Sequence, residues 1–194
     1  NYKNLIINGD MSQAQRGTST TSNGYLVDRF ILDEATDGAI TYTQDTDVPA
    51  GQGFAKSLKL DVTTADASLA SGTYCILTHG FEGQNLQHLK YGTSSAETLT
   101  LSFWVKSVKT GTYCVNFTKD AGGQTRYETP VEYTISSGST WEKKTITVTP
   151  TAGSTSLITG TAGAIVNSNA KAFRVIFALG QGTDWHGTNN TWVA

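Results

Sequence analysis

Hydrophobic and polar residues alternate along the middle of the chain. Over residues 99–106, and again over 113–118, apolar side chains alternate with smaller or more polar ones. A period of two is typical of a β-strand, whose successive side chains point to opposite sides. Lys109-Thr110-Gly111 separates the two runs, so we predict a hairpin closed by a short glycine-containing loop.

Comparable runs occur along the rest of the chain, separated by residues that favour turns. The Asp37-Gly38 pair suits a tight type I′ turn and predicts a second hairpin between the strands on either side. Leu86 and Leu89, three residues apart, favour a helical turn within 84–89. The predicted strands cover residues 4–7, 25–32, 39–44, 56–63, 74–81, 99–106, 113–118, 126–135, 141–150 and 172–179.

This succession of strands predicts an all-β fold. The apolar face of one sheet must be covered, and a second sheet is the simplest cover. Short strands separated by turn signals are typical of sandwiches, and the sequence shows no repeat of propeller or solenoid length. We therefore predict an antiparallel two-sheet β-sandwich of the jelly-roll type, forming a single domain over residues 1–194.

The composition agrees with this fold and narrows the classes of partner. Hydrophobic residues make up 38% and charged residues 15% of the chain, and the net charge is -2. A nucleic-acid partner is not expected, because no excess of positive charge would attract it. No apolar run reaches the roughly 18 residues that cross a bilayer, so membrane insertion is not expected. Because the first residue is Asn1, we expect a processed chain or an excerpt from a longer one.

The two cysteines, Cys75 and Cys114, each close a copy of the tetrapeptide Gly-Thr-Tyr-Cys. They could therefore occupy similar places on neighbouring strands and form a disulfide, which requires Cα atoms within about 7 Å. The alternative, which we favour, is that both are unpaired buried thiols. Without histidines at ligand spacing they do not indicate a metal site.

Trp104 falls on the polar side of its predicted strand, where a large aromatic side chain is unusual. An indole can cover the apolar face of a sugar ring while neighbouring polar groups bind its hydroxyls. Asn116 across the predicted hairpin, with His79 and Arg126 on adjacent strands, would supply such groups. We therefore predict a glycan-binding surface. The alternative is that a loop or a neighbouring subunit covers Trp104.

The other tryptophans are weaker candidates. Trp185, beside His186 and flanked by Gly182 and Gly187, could touch a ligand at the rim of the site or plug a contact between subunits. Trp141 opens a strand after a serine-rich turn, a position that favours the edge of the core.

The sequence lacks a catalytic signature. No histidine lies near a Gly-x-Ser-x-Gly or His-Glu-x-x-His motif, and the acidic pairs at 33–34 and 45/47 lie in turn contexts. Glycoside hydrolysis needs two carboxylates at a set separation, which spacing along a chain does not show. We predict that the protein is not an enzyme and has no organic cofactor.

Several segments resemble the domains of bacteriophage tail fibre and related virion proteins. Residues 4–11 (NLIINGDM) and 14–18 (AQRGT) look like the start of such domains, and 27–30 (VDRF) resembles their next strand. The resemblance implies a non-catalytic β-sandwich on a virion, outside the cell, in contact with host or environmental glycans. Three further segments resemble both these domains and the jelly-roll carbohydrate-binding modules of polysaccharide-degrading enzymes, namely 81–86 (FEGQNL), 99–106 (LTLSFWVK) and 110–113 (TGTY).

The resemblance also implies two features that this chain departs from. In the family a further strand similar to YITGVQLEVG usually follows, whereas this chain stops at Ala194. Either a final strand is missing from an excerpt or its place is filled otherwise. Related sugar-binding jelly rolls hold a structural calcium, for which Asp10 is the implied ligand. Ser12 stands where a second acid is often seen.

Two functions therefore remain open. The first is a glycan-binding module of a phage tail fibre or similar virion surface protein. The second is a structural virion domain that binds only other virion subunits, as a homotrimer or on a capsid lattice.

Overall fold

The computed structural model describes residues 4–120, 125–154 and 156–194. Within these ranges the chain forms strands joined by loops and 3-10 turns, which confirms the all-β class. Two 3-10 helices, Gly83–Asn85 and Gln87–Leu89, lie where a helical turn was predicted. The strands are β1 Ser19–Thr20, β2 Gly24–Tyr25, β3 Phe30–Ala35, β4 Ala39–Asp45, β5 Ser57–Thr64, β6 Tyr74–Glu82, β7 Leu99–Val105, β8 Gly111–Asp120, β9 Arg126–Ile135, β10 Glu142–Val148 and β11 Lys171–Gln181.

The chain divides into two compact units. The first unit extends to His79 and includes Ala178–His186, and the second consists of Gly80–Phe177 and Gly187–Ala194. Strands β6 and β11 contribute residues to both units. A single domain over residues 1–194 stays a prediction.

The first unit is a sandwich of two antiparallel layers. One sheet has the order β1-β4-β5, and the other contains β2-β3-β6-β11. Alternate residues of β3, β4 and β6 face inward, and Tyr42 is only 1% exposed. The core between the layers consists of Leu26, Leu32, Ile40, Tyr42 and Cys75, with Leu58 and Leu60 packed against it.

The predicted hairpin at Asp37-Gly38 is wrong, because β3 and β4 belong to different sheets. The chain crosses between the layers at this point. The carboxylate of Asp66 holds the crossing: its Oδ2 accepts hydrogen bonds from the Thr36 hydroxyl at 2.8 Å and the Asp37 N–H at 3.3 Å. These contacts stabilise a crossover where the local sequence also suits a tight turn.

The second unit also has two antiparallel layers. One is the two-stranded sheet β10-β7, and the other contains β6-β11-β8-β9. Phe103 of β7 packs edge-on against Tyr133 of β9 and Phe177 of β11, with ring centres 5.1 Å apart in both pairs. Residues 99, 101 and 103 of β7 therefore face inward.

The predicted hairpin around Lys109-Thr110-Gly111 is wrong for the same reason. β7 pairs with β10 and β8 pairs with β9, so the chain changes layers between them. The Tyr113 hydroxyl lies 2.8 Å from both the Ser107 hydroxyl and the Lys109 carbonyl oxygen, and the Ser139 N–H donates to the Ser107 carbonyl. The crossing is thus tied to the loop that precedes β10.

The C-terminal residues line the free edge of β9. Val193 and Glu128 exchange two backbone hydrogen bonds, each of 2.9 Å. Trp192 is 1% exposed, and its indole N–H donates to the Thr149 carbonyl at 2.9 Å. An unpaired sheet edge is prone to unwanted pairing, and this segment covers part of it.

Among the described residues both cysteines are free thiols. Burial raises the pKa of Cys75 to about 11 and also raises the pKa of Cys114. In the same residues we find no helix with the length and hydrophobicity needed to cross a membrane. Residues 4–7, predicted as a strand, lie outside the strands.

Candidate functional site

The outward side of the β7–β10 sheet carries a tryptophan among exposed polar side chains. Directly opposed residues of an antiparallel pair share one face, and the register pairs Trp104 with Lys143. Trp104 is half-buried, and the other members of this face are exposed. We call this surface the outer face of β7–β10; its strand residues are Thr100, Ser102, Trp104, Lys143, Thr145 and Thr147. The indole thus points away from the core, as the alternation predicted.

Trp141 and Lys106 extend the outer face beyond the ends of the two strands. Trp141 precedes β10 and Lys106 follows β7, so the alternation places both on the side of Trp104. The Lys106 ammonium lies 5.5 Å from the centre of the Trp141 ring, which confirms that the two side chains meet. Trp141 is half-buried and occupies a position diagonal to Trp104, about 7–8 Å away along the ladder.

The sequence favoured a position for Trp141 at the edge of the core, whereas the structure places its side chain on the outer face of β7–β10. The signal that could have found it is the period of two. Ile146 and Val148 are buried, so the odd-numbered positions of β10 point outward, and Trp141 continues that series.

The carboxylate of Glu142, the residue after Trp141, points to the other side of the sheet. Glu142 lies on the inward series of β10, where its carboxylate contacts the Lys144 ammonium and the N–H groups of Ser136 and Ser137. These contacts, the Lys144 hydrogen bond first, lower the pKa of Glu142. In the described part of the chain, the outer face of β7–β10 itself holds two lysines and no acidic side chain.

The structure does not bring Asn116 and Arg126 to Trp104, because β8 and β9 form the opposite layer. Both residues lie on the far side of that layer from β7. The Asn116 amide donates to the Glu128 carboxylate at 3.0 Å, and Arg126 lies 3.7 Å from Asp120. Arg174 also contacts Asp120, at 2.6 Å. The predicted grouping with Trp104 is therefore corrected, and ligand binding by Asn116 or Arg126 stays a prediction.

His79 belongs to the first unit and is fully buried, so it does not present its ring to solvent. Its ring packs edge-on against Phe30 with centres 4.9 Å apart, and its Nε2 lies 3.3 Å from the backbone of Ile7. Burial, with the positive charge of Arg29 nearby, lowers the pKa of His79 to about 4. The prediction that His79 lies on an accessible sugar-binding surface is therefore corrected: the residue lies in the core.

We expect this buried histidine to make the protein less stable in acid. His79 is neutral in the fold, whereas an unfolded chain binds the proton near pH 6.5. Between pH 6.5 and about 4 the unfolded state binds more protons, so stability falls as pH falls, by at most about 1.4 kcal/mol per pH unit from this group. Urea unfolding of wild type and His79→Gln over this range measures the effect. Equal slopes in the two proteins would show that His79 does not contribute.

Trp185 also belongs to the first unit, in the 3-10 helix Thr183–Trp185. It is 45% exposed, packs edge-on against Tyr74, and donates its indole N–H to the Gly72 carbonyl at 3.1 Å. The indole is anchored at one edge and open on the rest. Its role as a rim contact stays a prediction.

Asp10, the implied calcium ligand, is exposed and accepts a hydrogen bond from the Ser12 hydroxyl at 3.1 Å. Calcium takes six to eight oxygen ligands. Among residues 4–120, 125–154 and 156–194, no three histidine, cysteine or acidic side chains converge. One carboxylate does not by itself fit a calcium site, so no role is derived for the metal and the Asp10 site stays a prediction.

The loop around Asp10 is instead organised by Asn8, which has a positive φ of 59°. Its amide donates to the carbonyls of Gln13 and Asp28, and its oxygen accepts from the Gln13 N–H, all at 2.9 Å. Arg16 and Asp28 form an ion pair at 3.6 Å, but the Arg16 side chain is 62% exposed. The asparagine therefore ties the N-terminal segment together more firmly than the ion pair does.

We expect Asn8→Ala to lower the free energy of unfolding by about 2–3 kcal/mol, because it removes three hydrogen bonds and leaves alanine at positive φ. Asn8→Gly separates the two causes, since glycine accepts this backbone conformation. The control Arg16→Ala should cost less than about 1 kcal/mol, as exposed ion pairs do. Equal losses for Asn8→Ala and Arg16→Ala in urea unfolding would contradict this ranking.

Comparison with known proteins gives one structural likeness. No protein-family model matches the chain, and no curated protein matches its sequence. Among solved structures it is similar to the enzymatically active domain of tailspike protein 4 of bacteriophage CBA120, with 16% sequence identity and a TM-score of 0.49. The alignment covers 90% of this chain and 19% of that one, so this chain spans about a fifth of its length.

The prediction that the protein is not an enzyme is wrong as an exclusion, because the similar structure is described as an enzymatically active domain. The physical reason is that catalytic carboxylates are defined by their separation in space. A missing sequence motif therefore could not exclude hydrolysis.

Proposed function

We propose that this protein binds glycans through the outer face of β7–β10, as part of a phage tail fibre or similar virion surface protein. The observation that carries the proposal is the pair Trp104 and Trp141. Two half-buried indoles, Trp104 in β7 and Trp141 directly before β10, share one polar face.

The chemistry of this face suits a sugar better than it suits a fold-stabilising role. An indole is large and rigid, and it gains most when an apolar surface covers it. The C–H face of a sugar ring is such a surface. Ser102 and Thr145 lie next to Trp104 and supply hydroxyls that can both donate and accept hydrogen bonds. The buried Trp192 shows where this chain places an indole that serves packing.

The virion setting rests on the N-terminal motif and its resemblance to tail fibre domains. Asn8 gives that motif a physical role, because its side chain fixes the path of residues 8–28. We include in the proposal an extracellular location on the particle, contacts with other virion subunits, and assembly as a homotrimer.

A second candidate, a domain that binds only virion subunits, is favoured by apolar side chains on the first unit. Tyr25, Val62, Leu69, Leu179 and Trp185 are each 43–59% exposed. Exposed apolar side chains mark protein contacts where they form a contiguous patch. This candidate predicts that changes at these positions alter the oligomeric state in sedimentation, while changes at Trp104 have no effect on any binding.

A glycan array probed with wild type and Trp104→Ala tests the proposed function. We expect wild type to bind a restricted set of glycans and Trp104→Ala to lose that binding at an unchanged melting temperature. Tyr25→Ala is the matched control, because it removes a partly exposed aromatic ring elsewhere and should retain binding. Absence of binding by wild type, or equal binding by Trp104→Ala, would contradict the proposal.

A further inference from the structure

The outer face of β7–β10 differs in charge from the chain as a whole. The chain carries a net charge of -2. On this face, however, Lys106 and Lys143 accompany the two tryptophans, and the described residues there include no aspartate or glutamate. The described side chains of this face therefore include basic groups and no acidic ones.

Each lysine is placed beside one indole. Lys143 lies directly opposite Trp104 across the ladder, and the Lys106 ammonium lies 5.5 Å from the Trp141 ring centre. A sugar ring stacked on either indole would therefore have an ammonium group at its edge. We infer that the glycan bound here is an acidic polysaccharide whose carboxylate or sulfate groups pair with Lys106 and Lys143.

This inference rests on the proposed function and adds the class of ligand. For stacking on Trp141 the Lys106 ammonium must leave the ring, which gives up a cation–π contact. A charge-assisted hydrogen bond from the same ammonium to a ligand anion offsets that loss, because such bonds are stronger than neutral ones. A neutral glycan offers no such compensation, so the site should discriminate between the two.

The presence of only two ammonium groups at the proposed site also limits how strongly added salt can weaken ligand binding. Each ion pair formed with a polyanion contributes about one unit to the fall of log affinity with log salt concentration. We therefore expect a slope of about two for wild type and close to zero for the variant without either lysine. A nucleic-acid ligand, which needs more phosphate contacts, would give a steeper slope.

The experiment measures binding by calorimetry at low and high NaCl to four probes: polygalacturonate, dextran sulfate, a neutral galactan and a single-stranded oligonucleotide. The proteins are wild type, Lys106→Gln, Lys143→Gln and the double variant. Lys59→Gln is the control, because it removes an exposed lysine from β5. The two acidic polymers tell a carboxylate ligand from a sulfate ligand.

We expect wild type and Lys59→Gln to bind one acidic polymer at least about tenfold more tightly than the neutral galactan, a preference that the double variant loses. Equal affinity for acidic and neutral polymers, or an unchanged preference in the double variant, would overturn the charge inference while glycan binding stands. Failure of wild type to bind any of the polymers would overturn both the inference and the proposed function. Tightest binding to the oligonucleotide would overturn the choice of ligand.

Discussion

Replacing Trp192 with alanine should lower the free energy of unfolding by about 3–5 kcal/mol. The indole is 1% exposed, so its removal leaves a cavity that the surrounding sheet cannot fully close. It also leaves the Thr149 carbonyl without the indole N–H that donates to it at 2.9 Å. Because Val193 pairs with Glu128 next to it, the edge of β9 should loosen as well.

Urea unfolding monitored by circular dichroism measures this loss, with Trp185→Ala as the matched control. Trp185 also donates its indole N–H to a carbonyl, but it is 45% exposed and should cost only about 1–2 kcal/mol. Equal losses for the two variants, or a stable Trp192→Ala protein, would show that the C-terminal segment does not pack as described.

Trp104→Ala and Trp141→Ala should each lower the affinity for glycan by about tenfold or more. Both indoles lie on the outer face of β7–β10 and are half-buried, so truncation removes contact area for a ligand while the core stays filled. The free energy of unfolding should therefore change much less than in Trp192→Ala. Titration calorimetry with a glycan identified on the array measures the affinity.

A double-mutant cycle tells whether one ligand contacts both indoles. If a chain of sugars spans the diagonal between Trp104 and Trp141, the losses in the double variant should not simply add, because the second truncation acts on a ligand already displaced. Thr147→Ala, on the same face but farther along the strands, serves as a control with an expected change below about threefold. Normal affinity in the Trp104→Ala protein would contradict a role for the outer face of β7–β10.

The strands could be predicted from the sequence, but their pairing could not. Alternation in 99–106 and 113–118 marks β7 and β8 because it records which side chains face a core. It does not record which strand lies alongside. The loops at 36–38 and 106–110 carry residues suited to tight turns, yet both cross between layers, held by distant groups such as the Asp66 carboxylate.

The candidate site was only half predictable for the same reason. The outward direction of Trp104 follows from its own strand, whereas the neighbours of Trp104 depend on the strand that pairs with β7. Once β10 takes that place, Trp141 and Lys143 replace the predicted Asn116. His79 could have been placed in the core, since it shares its side of β6 with the buried Cys75 and Leu77.

Indole N–H signals in NMR spectra of the isotope-labelled protein test most directly whether the outer face of β7–β10 binds a glycan. The chain has four tryptophans, and single Trp→Phe variants assign their signals. Trp192, which is buried and donates its indole N–H to the Thr149 carbonyl, acts as the internal reference. On titration with a bound glycan we predict that the signals of Trp104 and Trp141 shift while the reference signal stays in place. Shifts confined to Trp185 or Trp192, or no shift at Trp104 under saturating glycan, would contradict the assignment of this face.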